Sequence, residues 1–160
     1  MSIAHRLRWY LNYSDVDYHL IHHKPTHCSR ESAEAAELPL NALAKPVLLE
    51  DERGYLVAVL PASRRVSLDK LEGKLGRRLE LASEEEISQL YEDCETGAIH
   101  PIARAYRLKT VVDEALLRPS EVYFEAGDHE LLVQMRAAEF LSLFPGDPFV
   151  DLSEEKRQLS

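Results

Sequence analysis

The sequence predicts an α+β fold: a curved, mixed, largely antiparallel β-sheet of about six or seven strands, barrel-like, wrapped by helices. Three observations predict it. Short runs with strand-type alternation, bounded by Gly, Pro, Asp or Ser, recur along the chain. Helix-type segments with recognisable caps are interspersed among them at short intervals. With 160 residues, 45% of them hydrophobic, the chain is sized for one domain, 1–160, whose core stands without disulfides or metal.

The elements follow in order. Residues 3–12 read as a short N-terminal helix in which Trp9 and Tyr10 are expected to pack, with an exposed aromatic edge as the alternative. Tyr18 to His22 alternates like a strand, and Ser29 is placed to cap a helix through Glu37, where alanines favour helix and Pro39 marks the end. Val47–Glu50 and Tyr55–Leu60 read as a hairpin across Asp51-Glu52-Arg53-Gly54. Ser67–Leu75 is a helix stopped by Gly76, and Arg78–Leu81 is a short strand. Ser83 with Glu86 makes a capping box that opens a helix to Tyr91. Thr110–Val112, Glu121–Glu125 and Glu130–Met135 are strands, Arg136–Phe144 is a closing helix, and 146–160 reads as a loosely held, flexible tail.

Composition narrows the function classes. A net charge of −9 argues against gripping a long stretch of nucleic acid, DNA included, though not against handling only an acceptor end. Arg64, Arg65, Lys70, Lys74, Arg77 and Arg78 cluster, and serve either as a backbone contact or as a solvated face. The apolar runs are too short to span a bilayer, no signal peptide is visible, and two cysteines without CxxC spacing read as reduced thiols, so a cytoplasmic protein is expected. His19, His22, His23, His27 and Cys28 invite a metal, yet the spacing completes no tetrahedral set. Asp113-Glu114 suggests paired carboxylates, but neighbours in a strand point apart, which favours a strand-end turn. No Gly-x-Ser-x-Gly elbow or papain-like cysteine is present.

Lys45, in Ala44-Lys45-Pro46-Val47-Leu48-Leu49, places a charge at the start of an apolar strand, which suits a side chain aimed into a pocket. The loop Gly97-Ala98-Ile99-His100-Pro101 offers a Gly for close backbone approach and a Pro that fixes its end. These two, with Val59-Leu60-Pro61-Ala62, Asp93-Cys94-Glu95-x-Gly97, Val111-Val112-Asp113-Glu114 and Tyr123-Phe124-x-Ala126-Gly127 in that order, resemble the YbaK/EbsC family between Tyr18 and Phe144. That family comprises deacylases related to the editing insertion of bacterial prolyl-tRNA synthetase.

The resemblance implies an aminoacyl-tRNA deacylase that hydrolyses the ester of mischarged tRNA in trans, without metal or cofactor. It relies on the terminal ribose hydroxyl or a bound water rather than a protein nucleophile. Lys45 matches the essential lysine, holding a phosphate or polarising the ester carbonyl. Gly97, Ala98, Ile99, His100 and Pro101 match the loop whose backbone faces the terminal adenosine and the ester. Gly127 and His129 match the opposite wall, and Thr26 the polar rim. Past Pro101 many members continue with an aromatic residue and a Gly where this chain has Ile102 and Ala103. The implied partners are the acceptor end of mischarged tRNA, with tRNA-Pro the best-known context, and an aminoacyl-tRNA synthetase. The alternative is a non-catalytic YbaK-like module that binds a nucleotide, a small molecule or a protein.

Overall fold

A computed structural model describes residues 3–25 and 29–156, with backbone alone for 29–31. Helix α1 (His5–Tyr13) leads into β1 (His19–His22), α2 (Ser29–Ala35) and a 3-10 turn at Leu40–Ala42. Then come β2 (Ala44–Asp51), β3 (Gly54–Pro61), β4 (Arg64–Val66), α3 (Leu68–Leu75), β5 (Glu80–Leu81) and α4 (Glu84–Leu90). A 3-10 turn at Ala103–Tyr106 precedes β6 (Lys109–Asp113), and another at Glu114–Leu117 precedes β7 (Glu121–Glu125). The chain continues through β8 (Leu131–Arg136), α5 (Ala137–Leu141), β9 (Phe149–Val150) and β10 (Ser153–Glu155).

Local chemistry accounts for the ends of these elements. The β2–β3 hairpin turns where Gly54 takes φ 126° and the Asp51 carboxylate accepts the Arg53 N–H at 2.8 Å. In α3 the Ser67 hydroxyl accepts from Lys70 N–H, and Gly76 closes the helix in the left-handed region. Helix α4 opens on the reciprocal Ser83–Glu86 capping box. Helix α1 buries Leu7 and Leu11 and holds Tyr10 half-buried, but Trp9 is 61% exposed and stacks on Tyr13 with ring centroids 5.2 Å apart. Of the two aromatics expected to pack, Tyr10 does so and Trp9 turns outward.

The described strands form an antiparallel sheet β1-β8-β7, an antiparallel pair β10-β4, and a five-stranded sheet β5-β2-β3-β6-β9 in which β3-β6 and β6-β9 run parallel. The mixed, largely antiparallel strands are as expected and do not close into a barrel; among the described residues a single parallel bridge, Leu43 to Tyr123, links the first sheet to the last. Alternation sorts the core. Ala44 and Leu48 of β2 join Val57, Val59, Val122 and Phe124 on one side, whereas Leu49, Leu56, Ala58, Leu60 and Val111 face α3 on the other. A third cluster, Leu43, Ala62, Tyr123, Leu132 and Ala33, lies where the two larger sheets meet.

The stretch after Pro145 corrects the expected loose tail, since β9 and β10 both enter sheets and Leu152 is fully buried. The reason is polar as well as apolar. Buried Ser153 donates its hydroxyl proton to Asp113 and accepts from Arg64 Nε at 2.6 Å. Most of the basic cluster is spent here too: Arg65 pairs with Glu154 at 2.8 Å, Lys70 with Asp151 at 3.1 Å, and Arg77 reaches Asp51 in a two-pronged pair at 2.6 Å. These cations hold the chain's own last strand and hairpin. Ser153→Ala strands a buried carboxylate and a guanidinium, and is expected to cost about 1–3 kcal/mol in urea unfolding at neutral pH.

Candidate functional site

The Gly97–Pro101 loop is built by a buried polar chain. His100 has no solvent exposure, and its Nδ1 accepts the Ile102 N–H at 3.2 Å. The ring proton therefore sits on Nε2, which donates to the Tyr106 hydroxyl at 2.8 Å. Tyr106 passes its own proton toward Asp93, whose second oxygen accepts the Arg6 N–H of α1 at 2.8 Å. Burial holds the imidazole pKa down near 3, so it stays neutral as the chain of donors requires. Tyr91 packs on both rings, 4.4 Å from Tyr106 and 5.8 Å from His100. The His100 side chain thus props from behind the loop whose backbone is expected to face the substrate. Gly97 is exposed at φ 84°, Ile99 is half-buried, and Ala98 and Pro101 are buried.

The opposite wall, Ala126–His129, stands against this loop. Glu95 N–H donates to Gly127 O at 2.7 Å, and His129 Nε2 lies 3.7 Å from the Glu95 carboxylate. Asp128 shapes the turn by accepting the N–H groups of Glu130 and Leu131 at 2.9 and 2.8 Å. Gly127 makes room for α1. Its φ is 113°, and a Cβ there would lie 2.7 Å from Ala4 Cβ. Ala4 N–H meanwhile donates to Ala126 O at 2.7 Å, so α1 is docked on this turn as well as on Asp93.

Lys45, the second residue of β2, pairs across the hairpin with Leu60 and shares the sheet face of Leu43, Val47 and Leu49. It is half-buried, and burial together with Lys156 lowers its pKa to about 8. No ion pair joins it to a carboxylate among the described residues. Its strand edge is open: β7 bridges that edge at Leu43 and β5 at Leu49–Glu50, while no described strand covers Lys45 to Val47. Pro46, which has no N–H to leave unpaired, suits that gap.

Two residues beyond the Leu43–Tyr123 bridge on the β7 side, and on the same face as Lys45, is Glu125. It is 2% exposed, neither carboxyl oxygen makes a hydrogen bond of normal geometry, and its pKa is pushed up to about 7 by burial, opposed by the nearby Ser32 hydroxyl and reinforced by Asp128. Sequence reasoning passed over Glu125. The available signal was an acid in Val122-Tyr123-Phe124-Glu125-Ala126, a run apolar on both faces and so buried on both.

Thr26, His27 and Cys28 lie outside the described residues, as does the side chain of Ser29. Cys94 is no nucleophile, because burial pushes its thiol up to about 12. Asp113 caps the following 3-10 turn through Ala115 N–H, the strand-end role expected of it. Among the described residues no three His, Cys, Asp or Glu side chains are placed to hold a metal ion, and no helix is long and apolar enough to cross a membrane. The candidate site thus comprises a loop held from behind with a turn against it, and an open strand edge whose lysine shares a face with the buried Glu125.

Residues 23–143 match the aminoacyl-tRNA editing domain, and the chain belongs to that family. Among solved structures, a candidate trans-editing enzyme for prolyl-tRNA synthetase has the same fold, with TM-score 0.80, 24% identity, and 94% of this chain and 96% of that one covered. The hypothetical protein APE2540 superposes with TM-score 0.82 at 22% identity over 93% of this chain and 99% of its own. A candidate signal transduction protein of Marinobacter aquaeolei VT8 contains the fold within a longer chain, with TM-score 0.75, 20% identity, and 94% of this chain against 30% of that one. No curated protein matches.

Two stability measurements test this geometry. Gly127→Ala forces a side chain into Ala4 at a left-handed φ and is expected to lose about 2–4 kcal/mol in denaturant unfolding, part of it recovered in the Ala4→Gly background. For Glu125 the folded pKa lies above the ordinary 4.5, so its contribution is full below that value and lost as pH rises through about 7. Glu125→Gln should match wild type near pH 4.5 and exceed it by about 2–3 kcal/mol above pH 7. Parallel stability curves across that range would show the carboxyl to be solvated.

Proposed function

We propose that the protein is a deacylase acting in trans in the cytoplasm, hydrolysing the ester that joins a wrongly chosen amino acid to the terminal adenosine of a tRNA, without metal or cofactor. The observation that carries this reading is Lys45, a half-buried ammonium without a carboxylate partner at an open strand edge, in a chain of the aminoacyl-tRNA editing family. A paired lysine would be spent on its partner. This one is left to meet an anionic or developing oxyanionic oxygen.

In this reading the acceptor end enters over the Gly97 loop, whose rigidity comes from the neutral His100 beneath it. Lys45 holds the terminal phosphate or the ester carbonyl, and stabilises the negative charge that builds on the carbonyl oxygen as water, oriented by the neighbouring ribose hydroxyl, attacks. The ester C–O bond breaks, the leaving ribose oxygen takes a proton, and free amino acid departs with water's oxygen in its carboxylate. An aminoacyl ester is activated enough that orientation and charge stabilisation suffice, which accords with an inert Cys94. tRNA-Pro and its synthetase are the proposed context, on the strength of what the trans-editing neighbour is described as serving. The fold's occurrence in a longer candidate signal transduction protein supports a second reading, a non-catalytic binding module.

The test is hydrolysis of radiolabelled Ala-, Cys-, Ser- and Thr-tRNA by wild type and Lys45→Ala. The variant is expected to lose about 100-fold or more in kcat/KM on the substrate that wild type cleaves. Because the ammonium is the working form and its pKa is lowered to about 8, the enzyme-dependent rate, corrected for spontaneous hydrolysis, is expected to fall as pH rises above 8. Hydrolysis of none of the four would favour the binding module.

A further inference from the structure

We propose that Glu125 receives the α-ammonium of the aminoacyl group, opposite Lys45, and so restricts the site to esters of amino acids whose amine is free. The proposal deepens the deacylase reading and rests on it for the position of the ester.

The geometry comes first. Leu43 and Tyr123 form a parallel bridge, so the chains leave it in the same direction, and the next residues on that face are Lys45 from β2 and Glu125 from β7. Past that bridge β2 and β7 no longer pair, so the open edge of β2 lies between the two side chains. They make no ion pair, and each is removed from water: Lys45 is half-buried and Glu125 all but completely buried. A cation-forming and an anion-forming group, buried and unjoined on one face, imply a ligand with complementary groups at each end. An aminoacyl ester is such a ligand. Its carbonyl and the adjoining phosphate present oxygen to Lys45, and its ammonium lies one carbon further on.

The surroundings of Glu125 strengthen the match to a cation. Asp128 follows three residues on and adds negative potential, with its Oδ1 committed to two backbone N–H groups. Ser32 of α2 supplies a hydroxyl on the other side, and Leu132 and Tyr123 flank it with apolar surface. A buried carboxyl without hydrogen bonds of normal geometry is destabilising as it stands, and such a cost is recovered when an ammonium arrives. Arrival also releases the proton that burial had kept on the carboxyl, so binding near neutral pH liberates a proton.

The probes are three non-hydrolysable adenosines carrying a 3′-amide: alanyl, with a free amine; lactyl, with a hydroxyl in its place; and N-acetylalanyl. Calorimetric titration of wild type is expected to give alanyl binding about 10-fold or more tighter than lactyl or N-acetylalanyl binding. Glu125→Gln, which keeps the shape and gains stability at neutral pH, should bind all three within about 2-fold of one another. Wild type without preference for the amine, a variant that keeps it, or no binding of any probe would overturn the proposal. Failure of the deacylase reading shows separately. Absence of tRNA hydrolysis with the amine preference intact would leave Glu125 as the ammonium site of a binding module, whereas Lys45-dependent hydrolysis without the preference would remove Glu125 alone.

Discussion

The site depends on a buried hydrogen-bond chain that runs in one direction, from Ile102 N–H through His100 and Tyr106 to Asp93, where Arg6 N–H meets the other carboxylate oxygen. Each link fixes the next. Were the imidazole charged, Nδ1 would carry a proton and clash with the amide it now accepts from. Were it the other neutral tautomer, the Tyr106 hydroxyl would have to donate to two acceptors at once. The loop's shape and the docking of α1 are therefore one arrangement, and a neutral histidine is its condition.

Much of this fold is legible in the sequence, because most of its elements carry local signals. The capping box at Ser83, the stops at Gly76 and Gly54 and the alternation of Tyr55–Leu60 each specify structure within a few residues. What is not legible has non-local causes. Strand β9 is only two residues long and pairs with β6, whereas β10 looks polar and weak in isolation and is held because Asp113 and Arg64, far earlier in the chain, meet Ser153 between them. In sequence the basic cluster stays open between a backbone contact and a solvated face for the same reason: its acidic partners lie near the end of the chain and across the hairpin.

At the site, residue types were more legible than roles. Lys45 lies at an open edge of β2, and the segment leading into the Gly97 loop meets the Gly127 turn. The His100 side chain props the loop from behind, and Gly127 leaves space for Ala4. A sequence shows that a small or polar residue is present, but not which of its sides is filled. Glu125 is the converse, since its burial on a two-sided strand follows from α2 and β2 arriving over it.

Cys94 sits inside the same wall, its sulfur 3.6 Å from the Tyr106 hydroxyl. With its thiol pushed up to about 12, it is silent toward alkylating agents while the wall is closed. Departure of Tyr106 would relieve that burial, and the same departure frees His100 and unseats α1. The sulfur is thus a clock built into the molecule: its labelling rate counts openings of the loop, with no probe added and no atom of the substrate face disturbed.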